Sequence, residues 1–278
     1  MRRGFDQAAP SYDTAAVLQT EVRRHLLERL DLLMLAPRIV LDAGSGTGHG
    51  ARELKRRYPR ALVVALDCSL PMLRAGGRRR WLRPVDRVLA DAERLPVASA
   101  SVDLILCNLM LPWCDADRVF AEFRRVLAAR GHLSFTTFGP DTLSELRAAW
   151  RQVDSQTHVH PFFDMHDVGD ALVRNGFISP VLDVDRYTLN YTDLLRLAAD
   201  LKATGARNAA VGRPKGLTGR GKLTRLQQAY EAFRIVDRLP ATYEVVYGSA
   251  WTPPARVGGS AGEGGSAGAS GRDRKSVV

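Results

Sequence analysis

The 278-residue chain has few cysteines, little lysine and no long apolar run. Its three cysteines, Cys68, Cys107 and Cys114, form no CxxC pair and no metal-ligand spacing. They are expected as reduced thiols filling the core, with neither a disulfide framework nor a zinc site. No stretch approaches the ~20 apolar residues that a membrane span needs. Met1-Arg2-Arg3 leads into no hydrophobic segment of a secretory signal. The expectation is a soluble, cytoplasmic protein with no membrane partner. His158 and His160 stand two apart without a third clustered ligand, so no metal is expected.

What is present is arginine. The net charge is +10 and the pI near 10.0, a balance that favours acidic partners: nucleic acid, an anionic surface or an acidic protein. Hydrophobic content of 45% is enough for a real core.

The most informative stretch is Ile39-Val40-Leu41-Asp42-Ala43-Gly44-Ser45-Gly46-Thr47-Gly48. An apolar strand ends in an acid and a Gly-rich turn, and 51–58 reads as the helix that follows. Such a turn lets backbone amides approach a ligand with no Cβ in the way. The spacing is Gly-x-Gly-x-Gly, not the dinucleotide Gly-x-Gly-x-x-Gly, and no Lys-Ser/Thr follows to grip phosphates. A nucleoside without phosphates therefore fits better than ATP or NAD.

Around this turn the periodicity alternates. A polar-aromatic lead-in at 4–13 precedes an amphipathic helix over 14–34. Strands are predicted at 38–42, 61–67, 85–91, 101–108, 131–138, 181–189 and 242–251, with helices at 70–77, 115–128, 141–153, 166–175, 191–205 and 222–235. Apolar strands alternating with helices predict an α/β fold whose mostly parallel seven-stranded sheet is covered on both faces. Three regions follow: a lead-in at 1–37 over the cofactor site, a domain at 38–252 with a helical lid near 190–236, and a disordered Gly/Ser-rich tail at 253–278.

Ligands in such sheets bind beyond the carboxyl ends of the strands. The candidate cofactor residues are Asp42, Gly44, Gly46 and Gly48 at the turn, then Asp67, Asp91, Ala92 and Asn108 at the following strand ends. Asp67, about 20 residues past the glycines, can accept both ribose hydroxyls, or else cap the helix after it. Asp91 can accept an adenine amine beside the Ala92 amide, or be an ordinary loop acid. Asn108, next to Leu109-Met110-Leu111, can face the reactive end of a cofactor or be a satisfied buried amide. Together these point to S-adenosylmethionine.

LDAGSGTG, Asp67, the DAERLP segment and the strand ending in Asn108 resemble the Rossmann-like class I S-adenosylmethionine-dependent methyltransferase core, over residues 5–138. Ser45 stands where many relatives have Cys. Across nearly the whole chain to Trp251, the segments FDQAAPSYD, FTTFGPDTLSELRAAW, HPFFDMHDVGDAL, DLKATGARN and LPATYEVVYGSAW resemble the malonyl-[acyl-carrier protein] O-methyltransferases of biotin synthesis. The resemblance implies methylation of the free carboxylate of malonyl-acyl-carrier protein, giving the methyl ester from which pimeloyl is built.

A malonyl carboxylate is already ionised at pH 7, so no general base is required. Arg147 is the candidate to fork onto it, or an exposed arginine paired with Glu145 or Asp141. Tyr12 is the candidate to orient methyl or carboxylate, or a packing aromatic. His166 is expected to cap the helix that begins there, and Phe162 and Phe163 to pack in the lid. Lys202, Arg207, Arg213, Lys215, Arg220 and Lys222, in or beside the lid, would meet an acidic carrier protein. RNA methylation is disfavoured, because Asn108 is followed by Leu-Met-Leu-Pro rather than by two prolines and an aromatic. The remaining alternative is a methyltransferase-like factor acting on a protein partner.

Overall fold

A computed structural model describes residues 2–76, 85–206 and 219–255. Its strands are β1 (Ile39–Ala43), β2 (Leu62–Asp67), β3 (Asp86–Leu89), β4 (Val102–Asn108), β5 (Leu127–Phe138), β6 (Ile178–Tyr191) and β7 (Leu239–Trp251). They form one sheet in the order β3-β2-β1-β4-β5-β7-β6. β1 to β5 run parallel, and β7 lies antiparallel between β5 and β6. The order reverses between β1 and β4, which opens a crevice above the ends of those two strands.

Among the described residues the helices flanking the sheet are α1 (Arg2–Ala8), α2 (Tyr12–Ala15), α3 (Val17–Arg29), α4 (His49–Arg57), α5 (Leu70–Ala75), α6 (Ala116–Val126), α7 (Ser144–Arg151), α8 (Met165–Arg174), α9 (Leu194–Ala203) and α10 (Arg220–Glu231). Side chains alternate across the pleat, so neighbours in one strand enter different cores. Val40 and Leu104 join Leu26 of α3, Leu54 of α4 and Tyr230 of α10. Leu41 and Ile105 join Phe120 and Phe123 of α6 and Leu172 of α8. Parallel strands buried on both faces need this continuous apolar composition.

The lead-in differs from the sequence reading. Residues 2–8 are helical, and the expected helix over 14–34 is interrupted at Ala16 (ψ 47°) and closes in a 3-10 turn at Leu30–Leu32. Pro10, which has no N–H, separates α1 from α2. β6 also runs longer than 181–189, because its ladder with β7 continues from Ile178 to Tyr191. His166 is not the cap of α8: the Asp164 carboxylate before it accepts the His166 amide at 2.8 Å. Arg207, Arg213 and Lys215, and the expected disordered tail from residue 256, lie outside the described residues. Among the described residues no helix is long and apolar enough to cross a membrane.

Candidate active site

The glycine turn bends sharply enough that Gly44, Gly46 and Gly48 all take positive φ, at 72°, 55° and 78°. The Gly44 and Ser45 amides both donate to the Leu66 carbonyl at 2.9 Å, tying the turn to the end of β2. Asp67, one residue on, accepts the Gly46 amide at 2.8 Å and the Ser69 amide at 2.8 Å. Burial pushes its carboxyl upward and these amides pull it back. A Cβ on Gly44 would stand 2.6 Å from the Met110 Cβ, so only hydrogen fits there.

Beyond the turn opens a cleft of about 500 Å³, within the ~300–1,000 Å³ usual for small ligands. Gly44, Gly46, Asp67, Asp91, Ala92 and Asn108 all line it. Gly48 does not: it starts α4, where its carbonyl accepts the Arg52 amide. One Asp91 oxygen accepts the Glu93 amide at 3.0 Å. The Asn108 amide is engaged at both ends, donating to the Gln19 carbonyl at 3.0 Å and accepting the Thr136 hydroxyl at 2.9 Å. It ties α3 to the sheet and meets the cleft as part of its wall. Cys68 and Cys114 also line the cleft, correcting their assignment to the core; Cys107 alone is buried.

A second hollow on the other side of the turn is lined by Gln19, Arg23, Asp42, Ser45 and Asn108. Among the described residues, Asp42 Oδ2, Ser45 Oγ and Gln19 Oε1 are buried there without a hydrogen-bond partner. Unpartnered buried polar atoms are costly, and three at one hollow mark a place built for a polar ligand. Burial pushes the Asp42 carboxyl up to about 7, against the pull of the Ala51 amide.

The third cavity, about 110 Å³, lies between the lead-in, the strand ends and α9. Its walls are mainly apolar, with Leu109, Phe138, Leu143 and Phe162 among them, and no described lining residue is a lysine or arginine. The His160 ring enters this wall with Nδ1 buried and without a hydrogen-bond partner among the described residues, and burial holds its pKa below the usual imidazole value. Phe162 packs against Phe138 at 5.4 Å, whereas Phe163 is exposed.

Tyr12 lines all three hollows. Burial, then the nearby Asp67 charge, push its hydroxyl up to about 12, so it stays a phenol and can donate. The contacts that hold the lead-in in place include Asp6 accepting the Ser69 hydroxyl at 2.6 Å, Asp13 accepting the Thr47 hydroxyl at 2.6 Å, and Asn108 reaching Gln19.

Arg147 is not part of this convergence. It lines a separate groove, donating from Nη1 to the Pro140 carbonyl at 2.7 Å and from Nη2 to the Thr142 carbonyl at 3.0 Å. Lys222, expected to face a carrier protein, is paired with Asp154 at 2.8 Å. His158 shares that carboxylate at 2.7 Å and stacks on Trp150 at 3.5 Å. The sequence reading missed Gln19, Asp13 and His160. The last was noticed only as half of a histidine pair.

A methyltransferase-domain family model matches residues 41–135. A malonyl-[acyl-carrier protein] O-methyltransferase of Methylovorus sp. (strain MP688) is 54% identical over 265 residues, covering 92% of this chain and 90% of that protein. A protein of the same name from Laribacter hongkongensis (strain HLHK9) is 52% identical, covering 92% and 90%. Among solved structures, the YcgJ protein from Bacillus subtilis superposes with a TM-score of 0.59 at 15% identity, covering 83% of this chain and 98% of that one. Phosphoethanolamine N-methyltransferase 2 of Haemonchus contortus, in complex with S-adenosyl-L-methionine, superposes with a TM-score of 0.54 at 18% identity, covering 89% and 57%.

Proposed function

The chain belongs to the malonyl-[acyl-carrier protein] O-methyltransferases, and from that premise we propose that it methylates the free carboxylate of a malonyl thioester carried on acyl-carrier protein, with S-adenosylmethionine as donor. The observation that carries the reading is Tyr12, which stands where the turn cleft, the hollow of unpartnered acceptors and the apolar cavity meet.

The residues present fit the donor. Asp67 and Asp91 offer carboxylates to a ribose and an adenine along the larger cleft. Asp42 Oδ2 and Gln19 Oε1, acceptors without partners, suit the ammonium of its amino-acid end, and Ser45 Oγ suits the neighbouring carboxylate. Bound there, the donor supplies an electrophilic methyl on a sulfonium sulfur: a carboxylate oxygen forms the new C–O bond as the C–S bond breaks, its electron pair staying on sulfur.

That reaction joins an anion to a cation, so charge disappears as the transition state forms. No cationic side chain among the cavity's described residues holds the substrate carboxylate in its charged state, which favours the less charged transition state. Neutral donors suffice to hold the oxygen in line. On this reading that task falls to Tyr12 and His160, which line the cavity, and not to Arg147, which lines its own groove. No proton moves, and no residue acts as a base.

The test is incubation of the full chain with S-adenosylmethionine and malonyl-acyl-carrier protein, read by mass spectrometry. The expected product gains one methylene on the malonyl group. An unmodified carrier, or a methyl group on the carrier protein itself, would reject the assignment.

A further inference from the structure

The groove that holds Arg147 has a volume of about 480 Å³ and adjoins the apolar cavity, sharing His158, Val159 and Phe162 with it. α7 places Arg147 and Arg151 four residues apart, so both present guanidinium groups to this groove from one helix face. Among the described residues neither is ion-paired, because the nearby carboxylates are engaged elsewhere. Asp141 pairs with Arg186 at 2.9 Å, Glu145 accepts the Thr242 amide at 3.1 Å, and Asp154, which also lines the groove, is matched by Lys222 and His158. Arg147 is half-buried and fixed by the Pro140 and Thr142 carbonyls, while Arg151 is exposed. Arg147 and Arg151 repel one another across the groove, and an anion entering it relieves that repulsion.

The anion is not the malonyl carboxylate, which must reach the donor methyl beside Tyr12. It belongs to another part of the same substrate. Acyl-carrier proteins hold their acyl groups as thioesters at the end of a flexible pantetheine arm, whose far end is a phosphodiester. We propose that the groove of Arg147 and Arg151 seats this phosphodiester while the acyl end of the arm occupies the adjoining apolar cavity. The assignment rests on the functional reading above and adds the subsite that recognises the arm. Guanidinium forks suit phosphate oxygens, and Trp150 forms a flat wall beside them. Arg147 and Arg151 bind the arm and take no part in methyl transfer.

The experiment compares three substrates: malonyl-acyl-carrier protein, malonyl-coenzyme A with a phosphate at the same place but no carrier, and malonyl-pantetheine with neither. For each, kcat/KM is measured with the unaltered chain, Arg151→Ala and Arg151→Lys. In Arg151→Ala, kcat/KM for the two phosphate-bearing substrates should fall about tenfold relative to malonyl-pantetheine, through KM, with partial recovery in Arg151→Lys. Equal changes for all three substrates, or none, would overturn the assignment. A loss confined to the carrier substrate would place Arg151 against the carrier protein's surface and also overturn it. Failure of the unaltered chain to methylate any of the three would overturn the functional reading, and this subsite with it.

Discussion

The Asp13 carboxylate accepts the Thr47 hydroxyl at 2.6 Å, joining α2 to the glycine turn across 34 positions of sequence. The same carboxylate lies 3.2 Å from His49 Nε2, so one acid of the lead-in grips both sides of Gly48. Tyr12, its neighbour, is thereby held over Gly46, within 3.9 Å of where a Cβ would stand. Asp13→Ala releases this grip without touching the proposed donor-binding residues. A hydrogen bond to a charged group is worth ~1.5–3 kcal/mol, less where solvent reaches it. The Kd for S-adenosylmethionine should therefore rise about tenfold by calorimetric titration, with little change in thermal midpoint.

Asp42 gives donor binding a pH dependence. Its carboxyl is pushed up to about 7 by burial, and a bound ammonium favours the ionised form. Affinity should be full above pH 7 and fall as the free carboxyl protonates, about tenfold between pH 8 and pH 6. Asp42→Asn should bind more weakly at pH 8 and show a flattened profile over the same range. Equal slopes in both proteins would remove Asp42 from the ammonium site.

Gly44→Ala combines a left-handed backbone with a Cβ that meets the Met110 side chain. Left-handed backbone alone costs an alanine roughly 1–2 kcal/mol, and the displaced Met110 lines the cleft. Donor affinity should fall by about a hundredfold or more in equilibrium dialysis, while Met110→Ala alone, which trims the side chain beyond its Cβ and keeps the glycine, should retain binding.

His132 controls acid stability rather than catalysis. It is 1% exposed, both ring nitrogens lack partners among the described residues, and burial lowers its pKa to about 4. The unfolded imidazole titrates near 6.5 and binds protons that the folded one refuses. Stability is thus complete above ~6.5 and declines as pH falls toward 4, by roughly 3 kcal/mol in all. His132→Leu should abolish this share of the slope in urea midpoints measured from pH 7 to pH 4.5.

The parts legible in the sequence were those whose signal is local. Apolar runs fixed the strands, and the glycine turn with Asp67 marked the cleft, because φ and strand-end position follow from short segments. The direction of Arg147 was not legible, because it depends on the Pro140 and Thr142 carbonyls, which only the packed loop after β5 brings together. Asp13 reads as the end of a polar lead-in and Gln19 as an ordinary polar helix residue, and their partners lie tens of positions away. The Ala16 break, which turns Tyr12 toward the site, has no counterpart in the hydrophobic periodicity.

The most direct measurement is transfer of labelled methyl from S-adenosylmethionine to malonyl-acyl-carrier protein, run beside acetyl-acyl-carrier protein. The acetyl group has no free carboxylate. Label in the malonyl substrate alone, released as methanol by mild base, is the expected result. Label in both substrates, or in neither while the donor still binds, would contradict methylation of the malonyl carboxylate.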